Sequence, residues 1–196
     1  MTTPISLIVG LGNPGTEYAK TRHNVGFWFL DDLVNEYLGH FQAQSKFYGE
    51  TARIQIDGQE VWCLKPTTFM NRSGQSVQAL AAFYRIPISE ILVVHDELDL
   101  DPGIVRLKQS GGHGGHNGLR DITNRFNTGE YQRLRIGIGH PSQQGGGKSD
   151  VSKYVLNRPP SNEESDILDA LTRARIHFKD IVQGHSQKVM NALHTK

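Results

Sequence analysis

Leu7-Ile8-Val9-Gly10-Leu11-Gly12-Asn13-Pro14-Gly15, continued by Thr16-Glu17-Tyr18-Ala19-Lys20-Thr21-Arg22-His23-Asn24-Val25-Gly26, is the stretch on which the fold turns. A short, wholly apolar run reads as a strand buried on both faces, and it stops in glycines. An amide side chain, Asn13, sits in the break. His23 follows ten positions later, where a helix begins by its apolar spacing. Breaks of this kind form the rim of a site in α/β sheets. Histidine is the side chain that exchanges protons near neutral pH without help. The stretch therefore offers a pocket and a base together. A cap or a surface role for His23 is the plainer alternative.

The same residues carry a rival reading. Gly10-x-Gly12-x-x-Gly15 matches the dinucleotide fingerprint, in which the last glycine opens a helix that holds pyrophosphate. Pro14-Gly15 instead reads as a turn, and Thr16 to Arg22 has no apolar helical stripe. The acid expected about 20 residues on would be Asp31 or Asp32, on the polar side of the next helix. A nucleotide-binding oxidoreductase is thus disfavoured by its own motif.

Composition narrows the class. A chain of 196 residues, 37% hydrophobic and 21% charged, fits one globular domain over residues 1–196. No apolar run reaches membrane-spanning length. Met-Thr-Thr-Pro lacks the features of a signal peptide, which with one cysteine, Cys63, points to the cytoplasm. Cys63 lies in a strand-like run and reads as a buried small hydrophobe rather than a nucleophile. The net charge of +1 gives no global signal for nucleic acid. Between Asp101 and Arg135, however, Arg106, Lys108, Arg120, Arg125, Arg133 and Arg135 face only Asp101, Asp121 and Glu130. This makes either one positive face or an ordinary solvated surface.

Outward from the opening strand (5–9), the pattern predicts a helix over 25–38 and a hairpin of strands 52–56 and 61–64 turned at Asp57-Gly58. A helix capped by Ser73 runs to Tyr84, and an apolar strand covers 91–94 with a polar end at His95-Asp96-Glu97. A strand follows over 104–108, then a glycine-rich loop over 111–118, a helix over 119–126 and a strand over 134–138. A surface loop spans Gln143 to Lys148. A long helix over 162–183 and a helical tail bearing Val189, Met190 and Leu193 complete the chain. This order predicts an α/β fold: an α/β/α sandwich, with a twisted mixed sheet and helices on both faces. Asn13 and Asp96 then each lie just past the end of a buried strand, where sites gather.

Polar groups on four segments can meet there: Asn13 and His23, Met70-Asn71, Asp96, and His113 to Asn117. A carboxylate on one imidazole nitrogen fixes the tautomer of a base, and Asp96 is placed for that; a turn-forming aspartate is the alternative. Asparagine amides supply donors to an oxyanion without added charge, with Asn71 a candidate, or else a helix cap. No G-x-S-x-G elbow or H-E-x-x-H motif is present, and two histidines in the glycine loop make a poor metal set. Water activated by histidine is the simplest chemistry that remains.

Several blocks together resemble the bacterial-type peptidyl-tRNA hydrolase family. They are Gly10 to Gly15 with Tyr18 and Thr21 to Gly26, Lys65 to Asn71 with Ser73-Gly74, His95 to Asp99, Gly112 to Leu119, Arg135 to Gly139 with Pro141, and Tyr154 to Leu156. They run in order over nearly the whole chain. The resemblance implies a monomeric esterase that needs no cofactor or metal and cleaves the ester between a peptide and the 3′-terminal ribose of tRNA. It implies His23 as general base, oriented by Asp96. Asn13, Asn71 and Asn117 would hold the peptide and the 3′ end and help place water, and Tyr18 and Met70 would line the pocket. Lys108 and Arg135 would grip tRNA phosphate. Which asparagine serves the oxyanion stays open. A non-catalytic RNA-binding relative is the other alternative, against which the intact His23 and Asp96 speak.

Overall fold

The computed structural model describes residues 3–145 and 150–194. Strands β1 (Leu7–Gly10), β2 (Gln42–Gln44), β3 (Gly49–Ile56), β4 (Gln59–Pro66), β5 (Ile91–Glu97), β6 (Val105–Lys108) and β7 (Gln132–Gly137) form one sheet of seven strands, ordered β2-β3-β4-β1-β5-β7-β6. β1 is central and parallel to both β4 and β5, and β5 is parallel to β7. β3 and β6 run antiparallel to their neighbours, so the sheet is mixed as expected. Asp57 and Gly58, both at positive φ, turn the β3–β4 hairpin.

Helices cover both faces. α1 (Val25–Glu36), α5 (Ser161–Ile176), α6 (Phe178–Val182) and α7 (Ser186–His194) pack on one, and α2 (Ser73–Phe83) and α3 (Asn117–Phe126) on the other. The short α4 (Val151–Val155) lies beside the site. The strand pleat sorts the apolar run: Ile8, Leu92 and Val94 enter the α1 core, and Leu7, Val9, Ile91 and Val93 the α2 core. A strand buried on both faces therefore has no polar alternation to show.

Several local expectations change. β5 continues through Asp96 to Glu97, because its pairing with β7 runs on to Glu97 and Gly137, so Asp96 lies inside the strand. The long C-terminal helix breaks at His177 into α5 and α6. Ser73 is the first residue of α2 and not its cap; its hydroxyl donates to the Met70 carbonyl at 2.7 Å. α3 starts at Asn117, capped by the His116 ring. β2 and α4 were not anticipated: both are too short to show a period. In the expected loop at 143–148, Gln143 and Gln144 end a 3-10 turn, and residues 146–148 fall outside the described residues.

Candidate active site

The site grows from the first break in the sheet. No helix opens at Gly15, which sits in a turn at φ 109°. The chain first winds as a 3-10 turn over Arg22–Asn24 and then enters α1. That turn presses against the sheet because Gly26 has no side chain. A Cβ there would lie 2.5 Å from the Val94 carbonyl and 2.6 Å from the backbone of Leu11. Asn24 fastens the arrangement, accepting from the Asn13 N–H at 2.9 Å and donating to the Asn13 carbonyl at 2.9 Å. Asp31 and Asp32, the acids a nucleotide site would need, pair instead with Lys65 and Arg175.

This close approach brings His23 against Asp96, with Nδ1 and Oδ2 2.8 Å apart. Both residues are nearly buried. The other carboxylate oxygen, Oδ1, lies 2.7 Å from Nε2 of His116. The protons can be placed. His116 Nδ1 accepts from the backbone N–H of Gly118 at 3.2 Å and of Leu119 at 3.4 Å, so its Nε2 carries the proton and donates to Asp96. Asp96 accepts from both rings as a carboxylate. Although burial opposes its charge, the neighbouring histidines hold its carboxyl well below the usual range. His23 donates from Nδ1 and keeps a free lone pair on Nε2. Burial disfavours its imidazolium, but the charge and hydrogen bond of Asp96 outweigh this and raise its pKa above the ordinary 6.5. His95, behind His116, is pushed by burial down to about 3 and stays neutral, its Nδ1 donating to the Asp96 carbonyl at 2.8 Å.

His23 opens onto a cavity of about 280 Å³ lined by Asn13, Tyr18, Met70, Asn71 and Asn117, with Phe69, Ser152, Val155 and Leu156. Asn13 Oδ1 accepts from the Met70 N–H at 2.8 Å, which turns its amide nitrogen into a donor for a ligand. Met70 is buried, while Asn71 and Asn117 are exposed at the rim. Asn71 lies in a 3-10 turn without a capping bond, and Asn117 Oδ1 accepts from Arg120 at 3.1 Å. Tyr18 meets Phe69 edge to face at 6.4 Å. Asp96 lies behind His23 and lines a second cavity of about 430 Å³ with His116, Glu97, Leu98 and His140.

Lys108 and Arg135 do not line these cavities. They sit on β6 and β7, towards the far edge of the sheet. Lys108 is exposed; Arg135 is paired with Glu97 at 2.8 Å. The positive face is smaller than the sequence count suggests. Arg133 is buried, its guanidinium taken by the carbonyls of Gly111, Gly112 and Gly129. His116 is the site residue that sequence reasoning passed over. It stands next to Asn117, in the segment the sequence brings to the rim, but the sequence assigns it no role beyond a poor metal ligand. The donors of His23, Asp96 and His116 do lie within 4.8 Å of one another, a spacing a divalent ion can use. But a metal would need the His116 Nε2 lone pair, which the backbone donors on Nδ1 force to carry a proton instead. Cys63 is fully buried with its thiol pKa raised by burial, as expected for a structural cysteine.

Among the described residues no hydroxyl or thiol is hydrogen-bonded to His23 as a nucleophile would be. Fold and site together define an α/β protein with a carboxylate-held histidine at the carboxyl ends of the parallel strands of a mixed sheet. The family model for peptidyl-tRNA hydrolase matches residues 7–196. A peptidyl-tRNA hydrolase of Tolumonas auensis is 53% identical over 100% of this chain and 98% of its own. One from Neisseria meningitidis serogroup A is 50% identical over the full length of both chains. A crystal structure of peptidyl-tRNA hydrolase from Acinetobacter baumannii superposes with a TM-score of 0.93 at 50% identity, covering 98% of this chain and 96% of that one. The chain belongs to the bacterial-type peptidyl-tRNA hydrolase family.

Proposed function

We propose that this protein hydrolyses the ester of peptidyl-tRNA, releasing peptide and tRNA, with water activated by His23 and Asp96. The observation that carries the mechanism is the 2.8 Å contact that commits Nδ1 of His23 to Asp96 and leaves Nε2 as the base. Nε2 takes a proton from water as the oxygen bonds to the ester carbonyl carbon. The carbonyl oxygen becomes an oxyanion. The carbon–oxygen bond to the ribose then breaks, and the imidazolium returns its proton to the leaving ribose oxygen. Asp96 stays ionised throughout and stabilises the imidazolium.

The Asn13 amide nitrogen is the best-prepared donor to the oxyanion, since its oxygen is already engaged by Met70. Asn71 and Asn117 hold the ends of the ester from the rim, and Tyr18 and Met70 shape its wall. Lys108 and Arg135 meet tRNA phosphate, which positions the acceptor end without reading its sequence. Residues 1–196 act as one domain and as a monomer, without metal or cofactor. A cytoplasmic location fits a tRNA substrate. Among the described residues no helix is long and apolar enough to cross a membrane.

The test is release of the amino acid from N-acetyl-aminoacyl-tRNA. Wild type should turn over, and His23→Ala should lose about 10²- to 10⁴-fold in kcat, the usual worth of a general base. An inert wild type removes the hydrolase reading. A fully active His23→Ala removes the base.

A further inference from the structure

A cleft of about 610 Å³ lies beside the reaction cavity and is used by none of the steps above. The two share Phe69 and Asn71. Phe69 is 59% exposed, a large apolar ring standing at the divide. Tyr48, 46% exposed at φ 52°, and Thr67 form part of the far wall, where the Thr67 N–H donates to the Tyr48 carbonyl at 2.9 Å. Arg72 contributes the one charge among the described residues that line the cleft. Among the described residues its guanidinium has no ion-pair or hydrogen-bond partner, although it directly precedes α2. The Thr68 hydroxyl oxygen is buried and has no hydrogen-bond partner among the described residues.

We propose that this cleft is a subsite for the substrate's peptide, upstream of the residues nearest the ester, and that Arg72 gives it a preference for acidic side chains. The proposal rests on the hydrolase reading and on the order of elements across the sheet. Lys108 and Arg135 lie on β6 and β7, at one edge. His23 is held over the junction of β1 and β5, at the centre. The cleft is built from the residues before β3 and after β4, on the opposite side. An ester whose tRNA is gripped at the β6 side and whose carbonyl meets His23 can send its peptide away from that edge, towards β4 and β3. The two cavities meet at Phe69 and Asn71. An extended chain advances about 3.3–3.6 Å per residue, so a few residues suffice to pass Phe69.

The chemistry of the cleft suits a peptide. Aromatic faces and small hydroxyls accept varied side chains, and a free guanidinium rewards a carboxylate with a charge-assisted hydrogen bond. Single-stranded RNA is the competing occupant, because aromatic rings and a cation also serve base stacking. The placement of Lys108 and Arg135 disfavours it, since the nucleic acid approaches from the other edge.

The experiment compares N-acetyl-aminoacyl-tRNA, too short to reach the cleft, with tRNAs carrying hexapeptides. In these, Glu, Gln or Lys is scanned through the second to sixth residues from the ester. KM and kcat are measured for wild type, Arg72→Ala and Arg72→Glu. At one or two scan positions Glu should lower KM about three- to fivefold relative to Lys in wild type, the scale of an exposed ion pair. Arg72→Ala should erase the difference and Arg72→Glu reverse it, with the short substrate unaltered by either. Because Arg72 is exposed and makes no side-chain bond among the described residues, neither variant should disturb folding. A wild type active on all substrates without acidic preference overturns the subsite alone, as does a preference that survives in Arg72→Glu. Weaker binding of deacylated tRNA by Arg72→Ala assigns the cleft to RNA and also overturns it. A wild type inert even on the short substrate removes the hydrolase reading and the subsite with it.

Discussion

Asp96 is the residue whose chemistry is most constrained, because its two oxygens accept from two different imidazoles. Asparagine in its place offers one acceptor and one donor, so one ring must reverse its role. His116 cannot, since its Nδ1 is committed to the N–H groups of Gly118 and Leu119. His23 must then present Nδ1 as acceptor and carry its proton on Nε2, where it is no longer a base. Asp96→Asn should therefore lower kcat by about 10²- to 10⁴-fold with little change in KM. The residual pH profile checks the cause. In wild type the acid limb of kcat/KM should have its midpoint above 6.5, because the His23 pKa is raised. Losing the carboxylate leaves burial to act alone, so the midpoint should move to lower pH in the variant. An unmoved midpoint would mean that Asp96 does not set the titration of His23. The sequence announced His23, Asp96 and Asn13 through residue type and position. It hid His116, whose meaning depends on backbone donors that only a formed helix start provides.

The elements bring these residues together through a helix-to-sheet approach that depends on absent side chains. Gly26, in the first turn of α1, faces the carbonyl of Val94 and the backbone of Leu11. Gly10 is its counterpart on β1: a Cβ there would lie 2.4 Å from the Gly26 carbonyl. Gly26→Ala forces backbone against backbone, with no flexible tip to yield. It should cost about 1–3 kcal/mol in denaturant unfolding, the usual price of overpacking. It should also lower kcat by about a hundredfold well below the melting temperature, because displacing the 3-10 turn misplaces His23. A variant that loses stability but keeps its rate would separate the glycine contact from the site. The long elements were readable because burial imposes a period on them, as in α1 with Phe29 and Leu33 inward. The extension of β5 through Asp96 was not, since pairing with β7 overrides polarity there. Likewise His177, a helix-compatible residue, gave no sign that α5 would end at it.

At the scale of the molecule, charge is spent mostly on internal partners, and this shapes both tRNA binding and stability. Arg135 is neutralised by Glu97 in the free protein, whereas Lys108 is exposed and, among the described residues, unpaired. Lys108→Ala should flatten the salt dependence of tRNA binding by about 0.7–0.9 in log K per log salt, one phosphate's worth, and Arg135→Ala by less. Equal slopes in Lys108→Ala and wild type would remove Lys108 from the interface. Stability against pH follows from groups behind the site. His95 is pushed by burial, with His116 and Arg133 beside it, down to about 3, so between there and 6.5 the unfolded chain binds a proton that the folded one refuses. His194, lowered by burial and by Arg106 and Arg135, acts in the same direction. Stability should fall as pH drops below 6.5, by up to about 1.4 kcal/mol per pH unit for the His95 proton, with a smaller, solvent-screened share from the exposed His194. The raised pKa of His23 has the opposite sign: its contribution is complete below 6.5 and is lost as pH rises through its folded value. Asp96, held low, adds stability above 3.8 and loses it only in stronger acid. The stability maximum should therefore lie near pH 6.5 rather than at the isoelectric point. Denaturant melts between pH 5 and 8 would read it, and His95→Asn should flatten the acid side alone. Parallel acid limbs in the variant and wild type would show that His95 does not carry the linkage.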